Sequence, residues 1–257
     1  MKAMLAALQF LTILPLPRNL DLGERAIGQG IWFFPVVGLL AGAAVAALDY
    51  GASQVLPPLP AGALVVIALL IVSGGLHVDG LADTADGFFS SRPKERILEI
   101  MRDSRSGPMA LAAVFCVLSL KLSAVASLPA QPPLQRAGVI VLMALAGRCA
   151  LVFQLNLLPY ARTDGGLCTV FAKAKSRLQA LWAFAFLAAA SWWLPGLGGL
   201  EGLAVVAGTL LVAGLFALHC RRKIGGFTGD TLGAACELTE LVPVLVAAGW
   251  LHAKGAA

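Results

Sequence analysis

Residues 136–156 read Arg136-Ala-Gly-Val-Ile-Val-Leu-Met-Ala-Leu-Ala-Gly-Arg148-Cys-Ala-Leu-Val-Phe-Gln-Leu-Asn156. Beyond Arg136 the one charge in this run is Arg148, and about 20 apolar residues cross a bilayer as helix. Similar runs lie at about 31–49, 60–76, 108–128, 178–194, 200–219 and 238–253, separated by Pro57-Pro58 with Pro60, Pro129 with Pro132-Pro133, and Pro195-Gly196. Seven spans result. Met4–Leu16, broken at Pro15 and Pro17, lacks a small-residue cleavage signature. It is read as an interfacial, re-entrant or eighth membrane segment rather than a signal peptide.

Composition agrees. Of 257 residues 59% are hydrophobic and 13% charged, where a soluble domain carries about 25% charged residues. That excludes an ordinary soluble enzyme and a disordered or collagen-like chain. The net charge of +5 is read as positive-inside bias, not as a nucleic-acid footprint. The five cysteines form no CxxC pair, so neither a disulfide framework nor a zinc site is expected.

Loop charge orients the spans. Basic residues gather near 16–30 (Arg18, Arg25), 77–107 (Arg92, Lys94, Arg96, Arg102, Arg105), 157–177 (Arg162, Lys173, Lys175, Arg177) and 220–237 (Arg221, Arg222, Lys223). The loops near 50–59, 129–135 and 195–199 hold no Lys or Arg. Seven crossings put every basic loop on one side, which the positive-inside rule makes cytoplasmic, and leave the C-terminus outside. Most acids follow that side; Asp49 and Glu201 lie at the other. The expectation is an all-α, polytopic integral membrane protein with a single domain over 1–257. Its active-site loops are expected on the cytoplasmic side, at about 73–107, 157–177 and 220–240.

The chemistry concentrates in Ser73-Gly-Gly-Leu-His-Val-Asp-Gly-Leu-Ala-Asp-Thr-Ala-Asp-Gly-Phe-Phe89. Asp79, Asp83 and Asp86 stand at i, i+4 and i+7, on one helical face. Three like charges at a membrane border repel unless a cation sits among them, and Mg²⁺ commonly bridges one or two carboxylates and phosphate oxygens. The competing reading is a solvated turn of capping aspartates. Arg102 and Arg105 are spaced to share a helical face, and Arg forks suit phosphate. Glu99 and Asp103 form another i, i+4 acidic pair.

Gly225-Gly-Phe-Thr-Gly-Asp230 is a glycine-rich loop whose N–H groups can cradle phosphate and whose acid can complete a metal site. In Pro159-Tyr-Ala-Arg162 with Gly165-Gly166, Arg162 is read either as a second anion site or as a marker of the cytoplasmic border. Arg148, inside a span, should face a polar cavity or pair with an acid. Lys121 is expected to snorkel. His77, His219 and His252 form no ligand cluster.

Gly74-Gly-Leu-His-Val-Asp-Gly-Leu-Ala-Asp-Thr-Ala-Asp-Gly87 closely resembles the signature of the adenosylcobinamide-GDP ribazoletransferase, or cobalamin synthase, family. Leu98-Glu-Ile-Met-Arg-Asp-Ser-Arg-Ser-Gly107, Pro159-Tyr-Ala-Arg162, Gly226-Phe-Thr-Gly-Asp-Thr-Leu-Gly-Ala-Ala235 and Phe10-Leu-Thr-Ile-Leu-Pro15 are similar to its other blocks. The resemblance runs in order from the N-terminus to about residue 240. It implies a multi-pass enzyme of the bacterial or archaeal cytoplasmic membrane, with its site facing the cytoplasm. Such an enzyme joins α-ribazole or its 5′-phosphate to adenosylcobinamide-GDP, releases GMP and uses Mg²⁺.

On that reading Asp79, Asp83, Asp86 and Asp230 hold the metal, and Asp83 or Asp86 accepts the hydroxyl proton. Arg102, Arg105, Arg148 and Arg162, with Gly226 and Gly229, bind substrate. A homo-oligomer, or association with other cobalamin-assembly enzymes, is compatible with it. The rivals are a prenyl or CDP-alcohol type transferase and an ion-coupled transporter. The DGxxAR run of the CDP-alcohol enzymes is missing, since Ala82-Asp83 stands at that place. A transporter should carry polar residues near the midplane on several helices.

Overall fold

The computed structural model describes residues 1–15, 22–162, 167–194 and 199–255. Arg18, Gly165-Gly166 and the Pro195-Gly196 break lie outside them. The described residues form twelve α-helices and no strand, apart from a lone backbone bridge between Tyr160 and Phe227. The helices are α1 (Lys2–Leu11), α2 (Glu24–Gly30), α3 (Phe34–Ala52), α4 (Pro58–Val72), α5 (Leu76–Phe89) and α6 (Lys94–Ile100). After them come α7 (Pro108–Ser127), α8 (Pro133–Leu157), α9 (Leu167–Ala174), α10 (Arg177–Trp193), α11 (Leu200–Ile224) and α12 (Gly229–Ala253). The chain is an all-α polytopic membrane protein.

Among the described residues, five helical stretches are long and apolar enough to cross a membrane: Glu24–Ala52, α7, α8, α11 and α12. The pair α4 and α5 makes a sixth if it is counted as one span, but its axis bends by 89°. The seven expected spans therefore need correction at two places. α4 stops early because Gly74 and Gly75 take left-handed conformations, φ +61° and +76°, and turn the chain. α10 has 17 residues, about 25 Å of helix, short of a full span. It still runs antiparallel to α8, since Lys175 Nζ donates to the Leu158 carbonyl and Cys149 Sγ lies 3.5 Å from the Ala183 carbonyl.

α8 is the axis of the bundle, and its spanning window is wholly buried. α3 reaches it through Gly38 and Gly42, one helical turn apart. A Cβ on Gly42 would lie 2.8 Å from the Val141 backbone, so only glycine allows this approach, a small-xxx-small contact. At the neutral end Arg136 on α8 grips Asp49 on α3 with two bonds, 2.7 and 2.9 Å, and also donates to the Val125 and Leu128 carbonyls. Both residues are buried, so desolvated charges are paired and hydrogen-bonded, as burial demands.

A second ionic network lies well inside the bundle. Lys121 Nζ on α7 bonds Glu237 and Glu240 on α12, each at 2.7 Å, and Arg148 on α8 pairs with Glu240. Lys121 is therefore buried rather than snorkelling. Its stem could not reach the interface without abandoning two carboxylates in hydrocarbon. Glu237 also sits on a helix where a loop was expected, because α11 runs on to Ile224 and α12 begins at Gly229. Polar groups thus do occur deep in the bundle on three helices, against expectation. They are two cations facing two anions, each 1–4% exposed. That is a sealed structural junction, not an ion pathway.

Candidate active site

α5 does not continue α4 through the bilayer. Along its length it meets the ends of other helices that carry the basic loops. A Cβ on Gly80 would fall 2.6 Å from the Asp230 carbonyl at the start of α12. Asp86 reaches the start of α7, and Phe88 meets His219 edge-on near the end of α11 at 5.2 Å. Lys223 Nζ donates to the Phe88 carbonyl at 2.7 Å. α5 therefore lies along the basic face of the bundle. Gly80 on α5 and Gly233 on α12, where a Cβ would meet the His77 carbonyl at 2.9 Å, let the two backbones nearly touch.

This crossing brings Asp79 and Asp83 toward Asp230. Arg162 Nη2 donates to Asp230 Oδ2 at 2.9 Å, and Thr228 Oγ1 donates to the same oxygen at 3.2 Å. Arg162 is held there because the 159–161 backbone pairs with Phe227: Ala161 N–H to the Phe227 carbonyl and Phe227 N–H to the Pro159 carbonyl, both 2.9 Å. Asp79, Arg162, Asp230, Gly229, Tyr160 and Cys168 line one cavity of about 250 Å³. Burial, together with the charges of Asp230, Asp79 and Asp86, pushes the Asp83 carboxyl up to about 7, against the opposing pull of Arg162. Arg102 is close enough to act electrostatically on Asp230 and on Tyr160. The cluster is net acidic, half-buried and open on one side. Its donors are all carboxylate oxygens, the set a hard divalent cation takes. The three do not close into a tight cage, which suits an ion that completes its shell with water and phosphate.

The glycine-rich loop has mixed duties. Gly225, at φ +79°, closes α11. Gly226 is pressed onto Pro159, where a Cβ would lie 2.2 Å from the carbonyl oxygen; it holds Arg162's loop in place. Thr228 caps α12 in a reciprocal box with Thr231, at 2.8 and 3.2 Å, and Gly229 opens that helix on the cavity wall.

Three expected site residues have their bonds outside this cavity. Asp86 accepts from the N–H of Gly107 at 2.5 Å and of Ala110 at 2.9 Å. Its two oxygens cap the start of α7, which has no capping side chain of its own there. Arg105 is 87% exposed and folds onto Asp103, at 2.6 Å, holding that carboxyl down to about 2. Residues 101–105 form turns rather than helix, so Arg102 and Arg105 share no helical face. Arg148 is buried against Glu240 and does not line the cavity; it pairs with an acid as expected.

His77 does not cluster with His219 or His252; it is buried at the crossing of α5 and α12. Among the described residues, His77, Cys236 and Glu240 are the one trio of candidate ligands within 4.8 Å of one another. Cys236 Sγ lies 3.5 Å from His77 Nδ1. Both Glu240 oxygens are already taken, by Arg148 and by Lys121, so the trio reads as an ionic junction beneath the site. Only the i, i+4 spacing of Cys236 and Glu240 hinted at it.

A protein-family model described as cobalamin-5-phosphate synthase matches residues 3–248. The chain belongs to this family. Members similar to it include the adenosylcobinamide-GDP ribazoletransferases of Acetivibrio thermocellus and Desulforamulus reducens. The first is 37% identical, covering 93% of this chain and 94% of the relative. The second is 37% identical, covering 91% of each. The enzyme of the same name from Brevibacillus brevis is 35% identical over 98% of this chain and its own full length. No solved structure matches significantly.

Proposed function

We propose that this chain joins α-ribazole, or its 5′-phosphate, to adenosylcobinamide-GDP with release of GMP, at a Mg²⁺ site held by Asp79, Asp83 and Asp230. Membership in the family makes the chain a membrane transferase of cobalamin synthesis. The observation that carries the site is the convergence of α5 and α12 carboxylates with Arg162 around one cavity at the basic face. By the positive-inside rule that face is cytoplasmic.

When bound, the cation offsets the charge of the diphosphate and of the departing GMP. The chain's own groups do the rest. Arg162, fixed by Asp230, donates to phosphate oxygens; Arg102 adds positive charge from the exposed side. The acceptor's ribose 3′-hydroxyl oxygen attacks the cobinamide-side phosphorus. The bond from that phosphorus to the GMP oxygen breaks, GMP leaves as an anion, and the hydroxyl proton passes to Asp83. Asp83 suits that role better than Asp86, whose oxygens are engaged by α7.

The test uses purified protein in nanodiscs with adenosylcobinamide-GDP, α-ribazole and Mg²⁺, following GMP and corrinoid product by mass spectrometry. Product that vanishes with EDTA and in Asp83→Asn supports the reading. Undiminished product in folded Asp83→Asn overturns the site, and no product from the wild type overturns the reaction.

A further inference from the structure

Beside the acidic cavity lies a larger one, about 600 Å³, between α1, α2, α9 and the first turn of α5. Phe10, Ile27, Leu76, Leu167 and Phe171 line it, and Gln9 supplies its one polar side chain. The two cavities share Phe10, Leu76 and Leu167, so one wall runs from an apolar chamber to the carboxylates. The aromatic end is firmly built. Phe10 meets Phe171 edge-on at 5.0 Å and stacks on Phe34 at 5.7 Å, while Phe171 meets Phe34 at 5.6 Å. Phe171 and Phe34 are fully buried, whereas Leu76 and Leu167 are each 42% exposed. Two large apolar side chains thus stand open at the border of a charged site.

We infer that this chamber receives the planar aromatic base of the acceptor nucleoside, with Leu76 and Leu167 as its specificity-determining walls. The inference rests on the reaction proposed above. The substrates bring three rigid ring systems: the corrin, guanine and the base of the ribazole. The corrin, ringed by amides, is too large and too polar for the chamber. Guanine carries several donors and acceptors on one edge, and Gln9 alone cannot satisfy them; burying the remainder unpaired is costly. A benzimidazole-type base is flat and apolar, with one ring nitrogen left free by the glycosidic bond. Gln9's amide can donate to that nitrogen. Spacing agrees: Leu76 and Asp79, at i and i+3 on α5, share a face with Cβ atoms about 5–6 Å apart. A base seated on Leu76 therefore sets its ribose beside Asp79, where the hydroxyl must react.

The test is steady-state kinetics and equilibrium binding of α-ribazole with the full chain in nanodiscs. Leu167→Gln and Leu76→Gln alter exposed positions, so either can be read if the other folds poorly. Each should raise KM for α-ribazole at least tenfold and weaken its binding in the absence of the second substrate. KM for adenosylcobinamide-GDP should stay within twofold. Gln9→Leu should narrow the preference for a benzimidazole acceptor over its indole analogue, which lacks the ring nitrogen. If active wild type and both variants share one KM for α-ribazole, the inference falls. It also falls if only the adenosylcobinamide-GDP KM moves, or if rates track nanodisc lipid and not the acceptor, which would make the chamber an acyl-chain site. Failure of the reaction reading looks different: no GMP from the wild type with any acceptor.

Discussion

The molecule holds two charge clusters on the same helix, α12, and they are built to opposite rules. The deeper one joins Lys121, Arg148, Glu237 and Glu240; cations and anions match two for two and every member is sealed. The one at the basic face joins Asp79, Asp83 and Asp230 with Arg162; acids exceed the bonded cation, and Asp79, Asp230 and Arg162 border a cavity. A balanced, sealed network ties helices together, since removing either partner strands a charge in low dielectric. An unbalanced, open one is poorly suited to holding a fold and well suited to holding a cation and phosphates. Charge count and exposure separate structure from chemistry here; proximity to the membrane centre does not.

Mutations should separate the two clusters cleanly. Asp83→Asn and Asp230→Asn should each cut turnover by about 10²–10⁴-fold, the range for losing a proton acceptor or a preorganised charge. Thermal unfolding of Asp83→Asn in nanodiscs should be unchanged or later, because like-charge repulsion is relieved. Lys121→Met should do the reverse. It strands Glu237, leaves Glu240 to Arg148 alone, and should cost about 3–5 kcal/mol, read as an earlier unfolding transition and low folded yield. A well-folded Lys121→Met protein with normal unfolding would erase the distinction. Asp86→Ala should fall between, losing about 0.5–2 kcal/mol as a helix cap. Its activity should drop less than that of Asp83→Asn; an equal drop would return Asp86 to the metal set. Arg105→Ala, on the exposed pair, should leave both unfolding and kcat/KM within error.

Much of this was readable beforehand, and the misses share a cause. The i, i+4 spacing of Asp79 and Asp83 lies within one helix, so their common face follows from local geometry. The basic and neutral loops record the path of the chain directly. Asp230's approach to α5 depends instead on Gly80 and Gly233, two glycines on separate helices that nothing local connects. Asp86's partners lie 21 and 24 residues away at a helix start. Periodicity cannot tell a carboxylate that caps a distant helix from one that faces a ligand. Lys121 and its glutamates are 116 and 119 residues apart. Seen singly, an intramembrane lysine reads as snorkelling and Glu237 as a loop residue. The 89° turn was signalled by Gly74-Gly75, but those glycines sat inside a run apolar enough to pass for one span.

The account's central claim is that the open cluster holds the divalent cation. The most direct measurement is Mn²⁺ binding, by electron paramagnetic resonance, to the full chain in nanodiscs with adenosylcobinamide-GDP present. Wild type should bind one ion that Mg²⁺ displaces, and a folded Asp79→Asn, Asp83→Asn, Asp230→Asn triple variant should bind none. Unchanged Mn²⁺ binding in that folded variant would contradict the account.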